Sequence, residues 1–287
     1  MNCRAIMSSA PVGDARIAKQ VELEHLYNKN QLVSRIKAEF VNEKNFDFAA
    51  YMVANGIDPE FGFGVMTQMV LYKRTNLPTL VGIMRGHFKN DHNASQLTAD
   101  MLLKCAMADL VDWAPDLAVF VIKIEITPDV QRELDMYQFP LPMVTEPKLL
   151  RTNRSSPYMA VKDGSVILRN NHHDDDICLD HLNMMNRVKL CINETVARMV
   201  KNQWRNHDKP KEGETKKDFE RRRRAFDKFD RTAHQVIDQV TELGNEFYLT
   251  HKFDKRGRTY SQGYHINYQG NAWNKAIVEL ADKELIP

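Results

Sequence analysis

The chain has 287 residues, of which 43% are hydrophobic and 27% charged, the composition of an ordinary globular protein with room for one or two domains. A net charge of +2 is too small to mark a nucleic-acid binder by itself, and no apolar run approaches the length of about eighteen residues that spans a membrane. Cys3, Cys105, Cys178 and Cys191 form no Cys-x-x-Cys pair and no signal peptide is visible, so we expect reduced thiols in a cytoplasmic protein.

The first half of the chain is predicted to be mainly helical. Residues 58–64 are expected to form a loop before a helix at 65–72. Residues 121–126, which alternate from Ile122 onward, indicate a half-buried strand. The clearest amphipathic helix has apolar side chains at steps of four, four, three and three. These are Leu97, Met101, Cys105, Ala108 and Val111. They are expected to face a core, so Cys105 needs no chemical role.

The prolines between 140 and 147 indicate an extended linker, which divides the chain into predicted domains 1–138 and 139–287. In the second domain, the dipeptide at 163–164, Asp-Gly, predicts a hairpin turn, and apolar spacing predicts a helix over 188–203. A longer helix is predicted from Glu214. Its apolar residues repeat every three or four positions, which is typical of a helix that packs along another.

Four consecutive arginines lie near the start of this long helix. Residues 201–260 hold 16 Lys and Arg against 11 Asp and Glu, so the basic excess is local. Most such runs are solvated, because four consecutive residues spread around a helix and cannot all touch one phosphate track. The candidates for direct nucleic-acid contact in this run are Arg221, Arg222, Arg223 and Arg224.

Five potential metal ligands follow one another at residues 172–176, with the sequence His-His-Asp-Asp-Asp. Adjacent residues on one backbone cannot all converge on a single ion without sharp turning. A solvated polar loop is therefore favoured, and we expect no essential metal here. A metal-dependent hydrolase built on this run is an alternative, which the metal content of the purified protein would distinguish.

The stretch with the most chemical potential is residues 251–260, His-Lys-Phe-Asp-Lys-Arg-Gly-Arg-Thr-Tyr. Gly257 lets the main chain adopt unusual φ values and approach a ligand closely. Arg258 offers a planar fork of donors that matches a phosphate, and Asp254 is the natural partner to hold an arginine in place. Tyr260 supplies an aromatic face or a hydroxyl for a base or sugar. The pattern favours contact with a nucleic-acid backbone, and a solvated Arg-Gly-Arg turn is the alternative.

A second motif follows at short spacing, Asn-Tyr-Gln-Gly-Asn at 267–271, and then Lys275. An Asp-x-x-Gly-Arg segment followed by Asn-x-Gln-Gly-Asn and a lysine resembles the single-subunit RNA polymerases of phages and mitochondria. The resemblance implies that the first motif holds the template strand and the RNA–DNA hybrid beside the active site, with Lys275 also near the nucleic acid. The residues that match the first motif are Asp254, Arg256, Gly257, Arg258 and Tyr260.

A weaker likeness extends upstream. Residues 139–147 are similar to the proline-rich entry into the polymerase domain of this family, although Glu146 stands where a second proline is common. Residues 182–200 are similar to a family helix with an Asn- and Thr-rich face. The resemblance implies an α+β fold, mainly helical with short β elements. In it, an N-terminal helical domain precedes the first, incomplete part of a right-hand polymerase domain.

In this family the metal-binding aspartates, the nucleotide-gripping lysine and the ribose-selecting tyrosine lie downstream of the position of Lys275. We therefore expect the small N-terminal subunit of a split, two-chain polymerase, as some bacteriophages encode, with no catalytic residue of its own. The expected partners are a second subunit that holds Mg²⁺, the DNA template, the nascent RNA and a single-stranded-DNA-binding or promoter-opening factor. The expected location is the cytoplasm of an infected bacterium, with no membrane partner. Residues 276–287 are predicted to form a short helix against the second subunit.

A nucleic-acid-binding adaptor with no polymerase role is the alternative from another class. A neighbouring reading frame that begins at the family's downstream motifs would distinguish the two.

Overall fold

The computed structural model describes residues 12–27, 29–89, 91–162, 164–176, 178–203 and 207–283. Short strands accompany longer helices, which confirms the predicted α+β class. The helices are α1 (Val12–Tyr27), α2 (Lys29–Val41), α3 (Phe48–Ala54), α4 (Pro59–Tyr72), α5 (Leu77–Met84), α6 (Ala94–Met107), α7 (Pro128–Tyr137), α8 (Leu179–Asn186), α9 (Glu194–Met199), α10 (Lys216–Glu242) and α11 (Ala272–Ile277). The strands are β1 (Arg74–Asn76), β2 (Asp112–Ala114), β3 (Val119–Val121), β4 (Leu190–Ile192), β5 (His251–Phe253), β6 (Thr259–Ser261) and β7 (Val278–Leu280). Within the described ranges, no helix is long and apolar enough to cross a membrane.

Backbone packing divides the chain into two compact units. One is Lys29–Gln138, here termed the helical unit, and the other joins Met1–Asn28 to Phe139–Pro287 and is termed the motif unit. The chain passes from the helical unit to the motif unit after Gln138, and the segment that contains α1 groups with the motif unit. The division into domains 1–138 and 139–287 stays a prediction.

Helix α1 joins the motif unit through buried polar side chains. The Oε1 atom of Gln20 accepts the N–H of Val144 at 2.8 Å, and the carboxylate of Glu24 accepts the N–H groups of Met159, at 2.7 Å, and Ala160. Both side chains belong to buried residues. A carboxylate is tolerated in such a place because hydrogen-bond donors replace the lost water. Polar residues on a helix predict solvent exposure, so the sequence did not reveal this attachment.

The helical unit has an apolar core between its helices and a small antiparallel sheet of strand order β1-β3-β2. Fully buried side chains of this core include Ile36, Phe61, Leu102, Cys105 and Phe120. Burial raises the pKa of the Cys105 thiol to about 12. The predicted amphipathic helix is confirmed as α6 only as far as Met107, so Ala108 and Val111 lie beyond it, and Leu97 is exposed. Cys105 serves in packing.

Helix α4 begins at Pro59, so the loop predicted for this segment is wrong. The side chain of Asp58 accepts the N–H of Phe61 at 2.9 Å and caps the helix, with proline at the first helical position. Gly62 packs against Met52, where an added Cβ would lie 2.4 Å from the sulfur. The glycine therefore permits close packing of α3 on α4 and does not break the helix.

Of the strand predicted over 121–126, only Val121 is in a strand, so the prediction is wrong beyond that residue. Strand β3 pairs with its two neighbours as far as Arg74 and Asp112, and a last hydrogen bond joins the N–H of Ile122 to the carbonyl of Lys73 at 2.8 Å. Alternating side chains predicted the extended backbone but could not show where its hydrogen-bond partners stop.

In the motif unit, two segments predicted as helices pair as strands. Strands β4 and β7 are antiparallel, with Leu190 opposite Leu280 and Ile192 opposite Val278. The predicted helix at 188–203 is therefore wrong in its first part, and so is the terminal helix, of which residues 284–287 lie outside the described residues. Tertiary pairing between segments about ninety residues apart overrides a helical apolar pattern.

The long helix of the motif unit is confirmed as α10. Thr215 caps it by accepting the N–H of Asp218 at 3.1 Å. The apolar repeat supplies several of its buried residues, among them Phe226, Val236 and Val240. Asp163 of the predicted hairpin lies outside the described residues. In the part of the chain that is described, the segment after it pairs with β5 through a bridge between Ile167 and Phe253.

Candidate nucleic-acid interface

The Asp-x-x-Gly-Arg motif forms the turn of a β-hairpin in the motif unit. Strands β5 and β6 pair antiparallel, with His251 opposite Ser261 and Lys252 opposite Tyr260. In the turn, Gly257 has a φ of +78°, the left-handed region that favours glycine, and an added Cβ would meet no atom within 4 Å. Backbone conformation, and not lack of space, therefore requires glycine here.

Asp254 is the centre of hydrogen bonding in this turn. Its Oδ1 accepts the N–H groups of Arg256 at 2.8 Å and Arg258 at 3.1 Å, and its Oδ2 accepts Nε of Arg258 at 2.6 Å and the hydroxyl of Tyr260 at 3.1 Å. The residue is 6% exposed. The Arg258 guanidinium is the main reason that the pKa of this carboxyl lies well below its usual range. Asp254 is thus a permanent anion whose oxygens are occupied in shaping the turn.

Arg258 is anchored on one side and exposed on the other. Its Nε and Nη2 atoms both face Asp254, while the side chain remains 54% exposed. The guanidinium carbon lies 5.7 Å from the centre of the Tyr260 ring. Its remaining N–H donors are therefore presented in a fixed direction, which suits bidentate contact with a phosphate. The side chains of Lys255 and Arg256 are exposed beside it.

A neighbouring segment, residues 165–176 and here termed the support loop, stabilises the hairpin by hydrogen bonds. The N–H of Phe253 donates to the carbonyl of Val166 at 2.7 Å, and the N–H of Lys255 donates to Oδ1 of Asn171 at 2.7 Å. The turn is therefore braced by backbone and side-chain bonds outside the hairpin itself.

The support loop includes the His-His-Asp-Asp-Asp run, and its two histidines differ. His172 is 82% exposed at its side chain and lies 2.9 Å from Asp174, as a solvated loop would place it. His173 instead donates from Nε2 to the carbonyl oxygen of Asp254 at 2.8 Å. Among the described residues, no group of three or more His, Cys, Asp or Glu side chains is arranged to hold a metal. The sequence did not reveal the bracing role of His173.

The Asn-x-Gln-Gly-Asn motif lies along the outer edge of β6. Gln269 accepts the N–H of Ser261 at 2.8 Å through Oε1 and donates through Nε2 to the carbonyl of Thr259 at 3.2 Å. The side chain of Asn267 donates through Nδ2 to the carbonyl of Gly263 at 2.7 Å, and its backbone N–H donates to Oδ1 of Asn274 at 2.9 Å. These amides replace a missing neighbour strand and fix the hairpin edge. Their role in this structure is to support the turn.

Lys275, the last residue of the resemblance, is exposed on α11. Asn271 caps that helix by accepting the N–H of Asn274 at 2.9 Å, and Trp273 and Ile277 anchor it in the core. The helix therefore presents Lys275 to solvent from a fixed base.

His251 ties the hairpin to the rest of the motif unit. It is buried, with Nδ1 2.8 Å from Oδ1 of Asn186 and Nε2 2.8 Å from the hydroxyl of Tyr268. Because Oδ1 can only accept, Nδ1 carries the proton and Nε2 accepts from the tyrosine. Burial, with a smaller contribution from His181, lowers the pKa of His251 to about 4. The imidazole is therefore neutral in the folded chain.

This burial predicts a pH dependence of stability. The pKa of His251 falls from an ordinary value of 6.5 to about 4, so only the unfolded chain takes up its proton between these values. Stability contributed by neutral His251 is therefore present above pH 6.5 and lost as the pH falls towards 4, a total on the order of 3 kcal/mol. We expect His251→Gln to remove this component from urea unfolding curves. His172→Gln, at an exposed histidine of the same unit, should leave the dependence of the unfolding free energy on pH as in the wild type. An unchanged pH dependence in His251→Gln would contradict the neutral, buried state given to His251.

The four arginines of the run on α10 have different surroundings. Arg222 makes a bidentate pair with Glu214, at 2.8 and 2.7 Å, and holds the pKa of that carboxyl down to about 2. Arg221 lies 2.8 Å from Asp218 and is mostly exposed. Arg223 and Arg224 are exposed on the same helix. Arg222 is therefore used within the protein, and the other three side chains remain accessible to a ligand.

No family model matches the chain. It is similar to a "Probable DNA-directed RNA polymerase" of Agaricus bitorquis, with 26% identity over 172 residues, which covers 51% of this chain. The chain spans only 15% of the length of that relative. The likeness supports a relationship to RNA polymerases.

Proposed function

We propose that this chain is the template- and hybrid-positioning part of a DNA-directed RNA polymerase. The observation that carries the proposal is the anchored arginine of the hairpin. Asp254 fixes one edge of Arg258 while the other edge stays accessible, and Tyr260 lies beneath the guanidinium. A preorganised cation of this kind binds a phosphate without first losing side-chain freedom. The relationship to RNA polymerases supplies the class of ligand.

Positioning is a substantial share of catalysis in nucleotidyl transfer, because the attacking hydroxyl and the phosphate must be held in line. In the proposed enzyme, Arg256, Arg258 and Lys275 contact the backbone of the template strand or the RNA–DNA hybrid. Gly257 allows the main chain to come close to it. Asp254 touches no substrate and acts by positioning Arg258.

Mg²⁺ would assist the reaction by stabilising charge on the transferred phosphate. The described residues of the motif do not fit a site for it, because both Asp254 oxygens are already used by donors of the protein. We assign the carboxylates that hold Mg²⁺ to a second polymerase subunit. The proposed partners of the assembly are the DNA template, the nascent RNA and a factor that opens DNA, and the proposed setting is phage transcription in the cytoplasm of an infected bacterium.

Binding of a fluorescent RNA–DNA hybrid to the purified chain tests the proposal. We expect affinity to fall with salt, and the double variant Arg256→Gln/Arg258→Gln to bind about 10-fold or more weakly with a shallower salt dependence. Arg198→Gln is the matched control, an exposed arginine whose partner is Glu194 one turn away, and should bind like the wild type. Equal affinities for all three proteins would contradict the proposal. If the chain binds the hybrid but the double variant does not change RNA synthesis, the result would favour a nucleic-acid-binding adaptor.

A further inference from the structure

A wide polar cleft adjoins the hairpin within the motif unit. Its volume is about 770 Å³, and it lies between residues 152–154, the support loop and Lys252 of β5. The support loop contacts the hairpin and also lines the cleft. The carbonyl of Val166 and Oδ1 of Asn171 accept hydrogen bonds from the hairpin, and Arg169 and Asn171 are among the residues that line the cleft.

Cationic side chains outnumber carboxylates in the cleft. Arg154, Arg169 and Lys252 line it, and among the described residues no carboxylate lies within ion-pairing distance of any of the three. Asp174, which lies 2.9 Å from His172, and Asp176, which accepts the N–H of Asn153 at 2.6 Å, also line it and keep their negative charge. The lining therefore has a small positive excess, carried by three side chains that are available to an anion.

Lys252 connects this cleft to the anchored arginine. Residues directly opposite in an antiparallel pair point to the same face of the ribbon, so the side chain of Lys252 lies beside Tyr260. Tyr260 in turn carries the Arg258 guanidinium over its ring. Lys252 is half-buried, and burial lowers its pKa, so a bound anion would stabilise its charged form. Cations thus follow one another from the cleft to the turn of the hairpin.

We propose that the cleft binds the phosphodiester backbone of a single-stranded nucleic acid, as a continuation of the contact made by Arg258. The open cleft, its three cationic side chains and the position of Lys252 next to Tyr260 fit a strand that enters from the hairpin. The continuity with Arg258 rests on the proposed function, whereas anion binding in the cleft does not. The residues that determine anion binding in the cleft are Arg154, Arg169 and Lys252.

The test is fluorescence anisotropy of the full-length chain with single-stranded oligonucleotides of about 6 and about 14 nucleotides, as thymidine DNA and uridine RNA. We expect Arg154→Gln/Arg169→Gln to weaken binding of the longer strand about 10-fold and to lower the salt slope by about 1.4, with little change for the shorter strand. Arg151→Gln/Arg198→Gln removes the same charge outside the cleft and should match the wild type. Tighter binding of uridine or thymidine by the wild type identifies RNA or DNA as the strand in the cleft.

Arg258→Gln distinguishes this inference from the proposed function. If both lengths weaken in Arg258→Gln but neither weakens in the cleft variant, the cleft inference is wrong and the proposed function stands. If the cleft variant alone loses affinity, the cleft is a phosphate site and the role of Arg258 is wrong. Binding of both lengths at wild-type strength by the cleft variant, at every salt concentration, overturns the inference.

Discussion

Arg258→Ala should lower RNA synthesis by the assembled polymerase about 10- to 100-fold, the usual effect of removing a charged hydrogen bond from a phosphate. The reason is geometric as well as electrostatic. Asp254 holds the arginine by Nε and Nη2, so its remaining donors point in one direction. Arg258→Lys should recover only part of the loss, because an ammonium keeps the charge but not the planar fork. The measurement is the rate of primer extension on a single-stranded template.

The same substitution also removes the main partner of a buried carboxylate. Asp254 would keep the N–H of Arg256 and the hydroxyl of Tyr260, and its pKa should rise towards the ordinary range. We therefore expect some loss of thermal stability, and activity must be compared below the melting transition. Lys255→Ala is the control within the same turn, since its side chain is exposed and should change the rate less than about threefold. A wild-type rate in Arg258→Ala would contradict the role given to the arginine.

The chemistry of the hairpin could be anticipated from its residues. A carboxylate, a glycine and an arginine within five positions predict an anchored guanidinium, and Asp254 and Arg258 do form that pair. Local signals of this kind depend on neighbours in the chain, as the cap of Thr215 on α10 also does. In both cases the two partners lie within five positions of each other in the sequence.

The supports of the hairpin could not be anticipated, because their partners are far apart in the chain. His173 bonds to a carbonyl 81 residues away, and His251 bonds to Asn186 at a separation of 65. Nothing in the type or spacing of these residues indicates which atom they meet. The pairing of β4 with β7 was missed for the same reason, since both segments carry apolar patterns that also suit a helix.

The isolated chain should make no RNA, and a two-chain assembly should make it. Asp254 is fully engaged with donors of its own turn, so the motif supplies arginine-based positioning and leaves no carboxylate for Mg²⁺. Under the proposed function, we expect a second chain to carry metal-binding aspartates and to form a stable 1:1 complex with this one. Obligate interfaces of this type usually bury more than about 2,000 Å² of largely apolar surface.

Template-dependent incorporation of labelled nucleotides on a primed DNA strand is the most direct measurement. The chain is purified alone and after co-expression with a polypeptide that carries those aspartates, such as one encoded beside it. We expect incorporation by the complex, none above background by either chain alone, and loss of most activity when the complex contains Arg258→Ala. Incorporation by the purified single chain would contradict the two-chain assignment. An active complex that is indifferent to Arg258→Ala would contradict the positioning role of this hairpin.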